Sequence, residues 1–250
     1  MADRPITERL RALSPARLRL GRAGSAVPTA AQLAFQLDRA QARDAVWTEL
    51  ETEGLSEAIG QPIVEVRSEI RDRTRYLRRP DLGRRLAETD ADRLDPGPYD
   101  LAIVVADGLS AAAVHAHAAS MVLALLDRLP DWHVAPTVVA RQARVAIGDM
   151  IGERLAARLV CVLIGERPGL SSPASLGAYL TWEPREGRKD SERNCISNIQ
   201  PLAGLSYDDA ADRIVDLLRA ATRKCQTGVK LVPGSRQAAT LGSREPSDDT

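Results

Sequence analysis

The chain is 250 residues long, 44% apolar and formally neutral, with a pI near 6.9. Neutrality excludes a global attraction to nucleic acid or to an anionic membrane, and three widely spaced cysteines (Cys161, Cys195, Cys225) exclude a disulfide framework or a CxxC zinc site. With eight aromatic residues, the core must be built from Ala, Leu, Val and Ile, in one large domain or a domain with an appended arm.

Residues 1–95 read as an Arg-rich, mostly helical region suited to docking on a partner. Thr29–Leu50 repeats apolar residues at helical spacing through Leu33, Leu37, Ala40 and Val46, with Thr29 as a candidate N-cap. A short strand is expected over Pro62–Ile70. Seven arginines then fall between Arg71 and Arg85, interleaved with Asp72 and Asp81 and with Tyr76 as their one aromatic neighbour. That composition fits a basic face for an acidic protein partner better than an RNA site. The loop-forming stretch Asp90–Tyr99 separates this region from the next.

From residue 96 to 225 strands and helices alternate, which predicts an α/β domain with a mainly parallel sheet flanked by helices. Strands are expected at Asp100–Asp107, Ala135–Val145, Leu159–Gly165 and Ser175–Pro184. Helices are expected at 107–129, with Asp107 or Ser110 as cap, at Ile147–Ala156 and at Tyr207–Lys224. Residues 226–250 lose all periodicity and read as a disordered tail. No run is long enough for a membrane span and the N-terminus lacks a signal-peptide core, so the expectation is a cytoplasmic protein.

Four segments are candidates for chemistry. GERPGL, Gly165–Leu170, follows the buried run LVCVLIG and sets Glu166 where the strand ends, the usual ligand position in open sheets. Glu166 there either accepts hydrogen bonds from a ligand's amides or forms a solvated pair with its arginine neighbour. Cys195, in RNCISNIQ, has no histidine placed to activate it and reads as a small pocket-lining group, while Cys161 reads as core. His115 and His117 are two apart on a helix and so face apart. The turn at Asp107–Ser110 carries one glycine, not the three of GxGxxG, so a dinucleotide site is weakly supported and helix capping suffices.

Five segments together resemble the small (light) subunit of ethanolamine ammonia-lyase: LGRAGSAVPTAAQLAFQLDRAQARDAV, EVRSEIRDRTRYLRRPDLGRRL, IVVADGLSAAAV, RVAIGDMIGERLAARLVCVLIGERPGL and RNCISNI. They keep that family's order and spacing over most of Leu20–Ile199. The resemblance implies a Rossmann-like fold and a subunit of an adenosylcobalamin-dependent lyase that converts ethanolamine to acetaldehyde and ammonia. It further implies a large TIM-barrel partner carrying the radical chemistry, with six copies of each chain. The small subunit's cobalamin contacts carry over to Val145, Glu166 and Cys195, and neither a catalytic group nor a metal ligand falls on this chain. Two features depart from the pattern. Only twenty residues precede Gly21, where relatives housed in a bacterial microcompartment have a longer extension, which weighs against encapsulation; the tail after Cys225 is longer. The competing readings are a dinucleotide-binding oxidoreductase and a structural interaction protein lacking the cofactor contacts.

Overall fold

The computed structural model describes residues 26–170, 172, 174–201 and 204–231. The helices are α1 (Thr29–Trp47), α2 (Leu55–Ile59), α3 (Arg73–Arg78), α4 (Glu88–Ala91), α5 (Ala111–Asp127), α6 (Ile147–Arg154) and α7 (Tyr207–Lys224). The strands are β1 (Ile63–Arg67), β2 (Leu101–Ala106), β3 (Thr137–Arg141), β4 (Leu159–Gly165), β5 (Leu176–Trp182) and β6 (Asn194–Ile199), in the spatial order β1-β3-β2-β4-β5-β6.

The first four strands of that order are parallel to their neighbours, but β4–β5 and β5–β6 pair antiparallel. The sheet is therefore mixed, which corrects the expectation of a mainly parallel one. Connection length explains it. Only residues 166–175 join β4 to β5, too few for the crossover that a parallel partner needs. The chain has to fold back as a hairpin, and the same holds for residues 183–193 before β6.

Every residue of β2 and β4 is buried, as strands covered on both faces require. Along β2, Leu101, Ile103 and Val105 point to one face with Cys161 and Leu163 of β4, against α5 and α7. Ala102, Val104 and Ala106 point to the other with Val160 and Val162, against α6 through Ile147 and Ile151. Cys161 is thus core, as its surroundings in the sequence indicate, and burial pushes its thiol up to about 12.

Helix ends follow local chemistry. Ser110 caps α5 by accepting from Ala113 N (3.2 Å), and Ser206 caps α7 by accepting from Asp209 N (3.1 Å). In α7 the carboxylates Asp208 and Asp209 stand at the positive end and Arg223 and Lys224 at the negative end of the helix dipole. At α1 the residue in the N-cap position is Pro28, not Thr29, and no side chain caps the helix. Its apolar residues Leu33, Phe35 and Leu37 are exposed, and Ala45 is its one buried residue.

The outer edge of β1 is closed by its own neighbours. Asp90 accepts from Arg67 N (3.0 Å) and Arg93 donates to Glu65 O (3.2 Å), so the ladder has little to offer another strand. At the far end Thr227 accepts from Trp182 N (2.9 Å) and donates to Glu192 O (2.6 Å), which fixes the chain as far as the buried Leu231. The rest of the expected tail, 232–250, and the first 25 residues lie outside the described residues.

Candidate functional site

The C-terminal ends of β2 and β4 meet through two glycines. A Cβ on Gly108, whose φ is +55°, would stand 2.2 Å from the carbonyl oxygen of Gly165; one on Gly165 would stand 2.1 Å from that of Ser110. No side chain fits at either place. The approach lets Leu109 N donate to Gly165 O (2.9 Å), so the backbone of this turn is already engaged, unlike that of a phosphate-cradling loop.

Asp107 does not cap α5. Its carboxylate instead accepts from Gln142 N (2.8 Å) and Ala143 N (2.9 Å), tying the end of β2 to the loop after β3, with Arg73 at 3.5 Å. Burial raises the Asp107 carboxyl above its ordinary value, opposed by those amides and by the Arg73 charge. Arg73 is the one arginine of the 71–85 cluster that is buried, so that cluster is not a uniform basic face. It donates to Val46 O (2.7 Å), and its Nη2 has no hydrogen-bond partner.

Tyr76 is fully buried between two guanidinium groups, Arg73 at 4.5 Å and Arg144 at 4.4 Å from the ring centre, and its hydroxyl donates to Ala143 O (2.9 Å). Burial, and then the Asp107 charge, push the phenol well above its ordinary range. Arg73 has Asp107 as counter-charge. Arg144 has no carboxylate partner among the described residues, and its buried Nε makes no hydrogen bond.

Glu166, half-buried just past β4, accepts from Ser175 Oγ (2.7 Å), Ser197 Oγ (2.7 Å) and Asn198 N (3.1 Å). It is not the solvated partner of Arg167, which is exposed and makes no ion pair with it. A carboxylate offers roughly four acceptor directions, so one is left for an incoming N–H. Cys195 is exposed and opposes Tyr179 across the β5–β6 pair. Burial is the main cause that lifts the Tyr179 phenol above its ordinary range, and the neighbouring Cys195 adds to the rise. Behind Cys195, Arg193 is buried and makes a bidentate pair with Asp149 (2.5 and 2.6 Å), with a further bond to Thr181 (2.9 Å). This pair clamps the start of β6 onto α6.

These groups line two open clefts that share Arg144, Val145, Arg167 and Tyr179. The larger, about 750 Å³, also contains Cys195, Arg84, Asp190 and Arg193. The smaller, about 380 Å³, contains Glu166, Gly108 and Leu109. Val145, Glu166 and Cys195, far apart in sequence, thus lie around one continuous depression, with Val145 in both parts. Sequence reasoning missed Arg144, Tyr179 and the Arg193–Asp149 clamp. The signal for Arg144 was its place beside Val145; nothing local marked the other three.

The remaining candidates fall elsewhere. His115 Nε2 accepts from Glu51 N (2.8 Å), whereas His117 meets Tyr207 Oη (2.8 Å) and Ala174 O (3.2 Å). They do face apart and serve packing. Among the described residues no cluster of three His, Cys, Asp or Glu could hold a metal, and no helix is long and apolar enough to cross a membrane.

Residues 5–232 match the family described as ethanolamine ammonia-lyase light chain (EutC). The chain is 54% identical over 247 residues to the ethanolamine ammonia-lyase small subunit of Rhodopseudomonas palustris (strain BisA53), covering 95% of this chain and 94% of the relative. It is 52% identical to that of Azotobacter vinelandii (92% and 91% covered) and 47% identical to that of Pseudomonas fluorescens SBW25 (98% and 92% covered).

Proposed function

The chain belongs to the ethanolamine ammonia-lyase light-chain family, and from that membership we propose that it is the small subunit of an adenosylcobalamin-dependent lyase, completing the cofactor site of a large catalytic partner. The observation that carries this reading is the shared depression around Val145, Glu166 and Cys195 at the strand ends. Its lining suits a corrinoid. Val145 supplies an apolar contact for a ring edge, Glu166 one unused acceptor direction for a peripheral amide N–H, and Cys195 a small group that permits close approach.

The size of the depression supports a shared site. Clefts of roughly 300–1,000 Å³ bury most of a drug-sized ligand, and a corrinoid is larger than that. An open cleft of about 750 Å³ covers part of it and leaves the rest to a second chain. Adenosylcobalamin bound there would supply the radical chemistry. This chain's residues orient the ring and keep water from that face. The reading assigns the catalytic groups to the partner, a large subunit of TIM-barrel type, with six copies of each chain. The exposed apolar face of α1 and the exposed arginines after it form the proposed docking region.

The oxidoreductase alternative finds no support, because the turn at Gly108 spends its backbone N–H groups internally: Leu109 N on Gly165 O and Ser110 N on Asp107 O. The test is reconstitution. With adenosylcobalamin and ethanolamine the purified chain alone should form no acetaldehyde, and adding the large subunit should restore turnover. Turnover by the single chain would overturn this division of roles.

A further inference from the structure

We propose that Arg144 and Arg167 form an anion-binding pair that takes the phosphodiester of the corrinoid's nucleotide tail. The inference rests on the cobalamin reading above and adds a subsite to it.

Charge pairing around the depression singles these two residues out. In the larger cleft Arg193 is neutralised by Asp149, and Arg84 lies 3.3 Å from Asp190. Asp81 is taken by Arg79 at 2.6 Å. Arg144 and Arg167, which line both parts of the depression, have no carboxylate partner among the described residues. The site therefore holds two uncompensated cations.

Arg144 is also held in place before any ligand arrives. Its guanidinium lies 4.4 Å from the centre of the Tyr76 ring, with that of Arg73 at 4.5 Å, and its backbone N donates to Gly83 O (2.7 Å). Gly83 has to be small here, since a Cβ would stand 3.0 Å from Arg144 Cγ. Two cations on one ring repel each other, and only Arg73 has a carboxylate to offset this. The buried Nε of Arg144 makes no hydrogen bond. Arg144 itself is half-buried, and a guanidinium with one buried, unpartnered N–H and no carboxylate beside it favours an anion that supplies the counter-charge. A planar guanidinium with free donors matches a phosphate's oxygens. A cobalamin carries one phosphodiester, in its nucleotide tail, while its ring periphery carries neutral amides. Glu166 suits the amides; the arginine pair suits the phosphate.

The test uses the assembled complex of both subunits, with cyanocobalamin and with cobinamide, which lacks the nucleotide tail, and reads equilibrium binding by absorbance. Arg144→Gln and Arg167→Gln should each weaken cyanocobalamin about tenfold or more and leave cobinamide affinity unchanged. Arg144→Lys should recover part of the loss. Arg167 is exposed and its side chain makes no contact that folding depends on among the described residues, so its variant tests the idea even if Arg144→Gln destabilises the chain. Equal losses for both corrinoids would assign the pair to the ring or to a carboxylate of the partner subunit, and would overturn the inference. So would unchanged cyanocobalamin affinity. If neither corrinoid binds the wild-type complex, it is the cobalamin reading itself that fails.

Discussion

Glu166 is held by three neutral donors rather than by an arginine, so its negative charge remains available to a ligand. Glu166→Gln keeps the shape and removes the charge, and it turns an NH₂ toward a site that needs an acceptor. Cofactor affinity should fall by about 1.5–3 kcal/mol, the value of a hydrogen bond to a charged group, with subunit assembly intact. Isothermal titration of the complex with cyanocobalamin checks it; wild-type affinity would reduce Glu166 to a structural brace. The cysteines make a second case at this scale. Cys161 is sealed in the core with its thiol pushed up to about 12, whereas Cys195 and Cys225 are exposed. Iodoacetamide at neutral pH should label the last two and spare Cys161. Labelling of Cys195 should be suppressed in the cofactor-loaded complex, which peptide mass spectrometry would read directly.

Among the elements, the crossing of the β2–α5 turn with the end of β4 fixes the site most tightly. Gly165→Ala would drive a methyl group into the carbonyl of Ser110, a backbone atom that cannot move alone. The expected cost is on the order of 1–3 kcal/mol, seen as a Tm lower by several degrees. Gly169→Ala, whose Cβ would meet nothing closer than 3.5 Å, should leave Tm nearly unchanged. The β1 edge predicts a pH response. A hydrogen bond from Thr52 (2.7 Å), and then the Arg141 guanidinium, hold the Glu65 carboxyl below its ordinary 4.5. A depressed folded value contributes stability above 4.5 that is lost as pH falls through it. Glu65→Gln should therefore show a smaller drop in Tm than wild type between about pH 5 and pH 3. Equal acid limbs would mean that the pair contributes nothing.

The elements also show what a sequence makes legible. The strand LVCVLIG and helix α7 were readable to the residue, because an apolar run and a 3.6-residue period with clear caps are local signals. Strand β6 was not identified as a strand, since its burial alternates irregularly, its register with β5 shifts, and Asn198 adopts a positive φ of 60°. Strand direction was misjudged because it depends on loop length and not on strand composition. In the site, Val145, Glu166 and Cys195 were named from family resemblance, and the fold gathers them. The Arg73–Tyr76–Arg144 stack joins α3 to the loop after β3, a contact that no spacing in the sequence encodes.

At the scale of the whole molecule, this chain presents an open depression at the strand ends and, among the described residues, exposed apolar side chains on α1 beside a basic segment. If α1 docks on the large subunit, the double variant Leu33→Asp/Leu37→Asp should weaken co-purification of the two chains, and so should Arg78→Glu. Arg79 is the poorer probe, because Asp81 already satisfies it. Undiminished co-purification would place the docking surface elsewhere. The central claim, that this chain closes one side of the cobalamin pocket, is tested most directly at Cys195. Its side chain is small and exposed, so Cys195→Trp should leave the chain folded and the complex assembled on gel filtration. Cyanocobalamin affinity of that complex is the measurement. The account predicts that the indole fills the cleft and abolishes binding, whereas Cys195→Ala binds as wild type does; a Cys195→Trp complex that binds cyanocobalamin with wild-type affinity would contradict it.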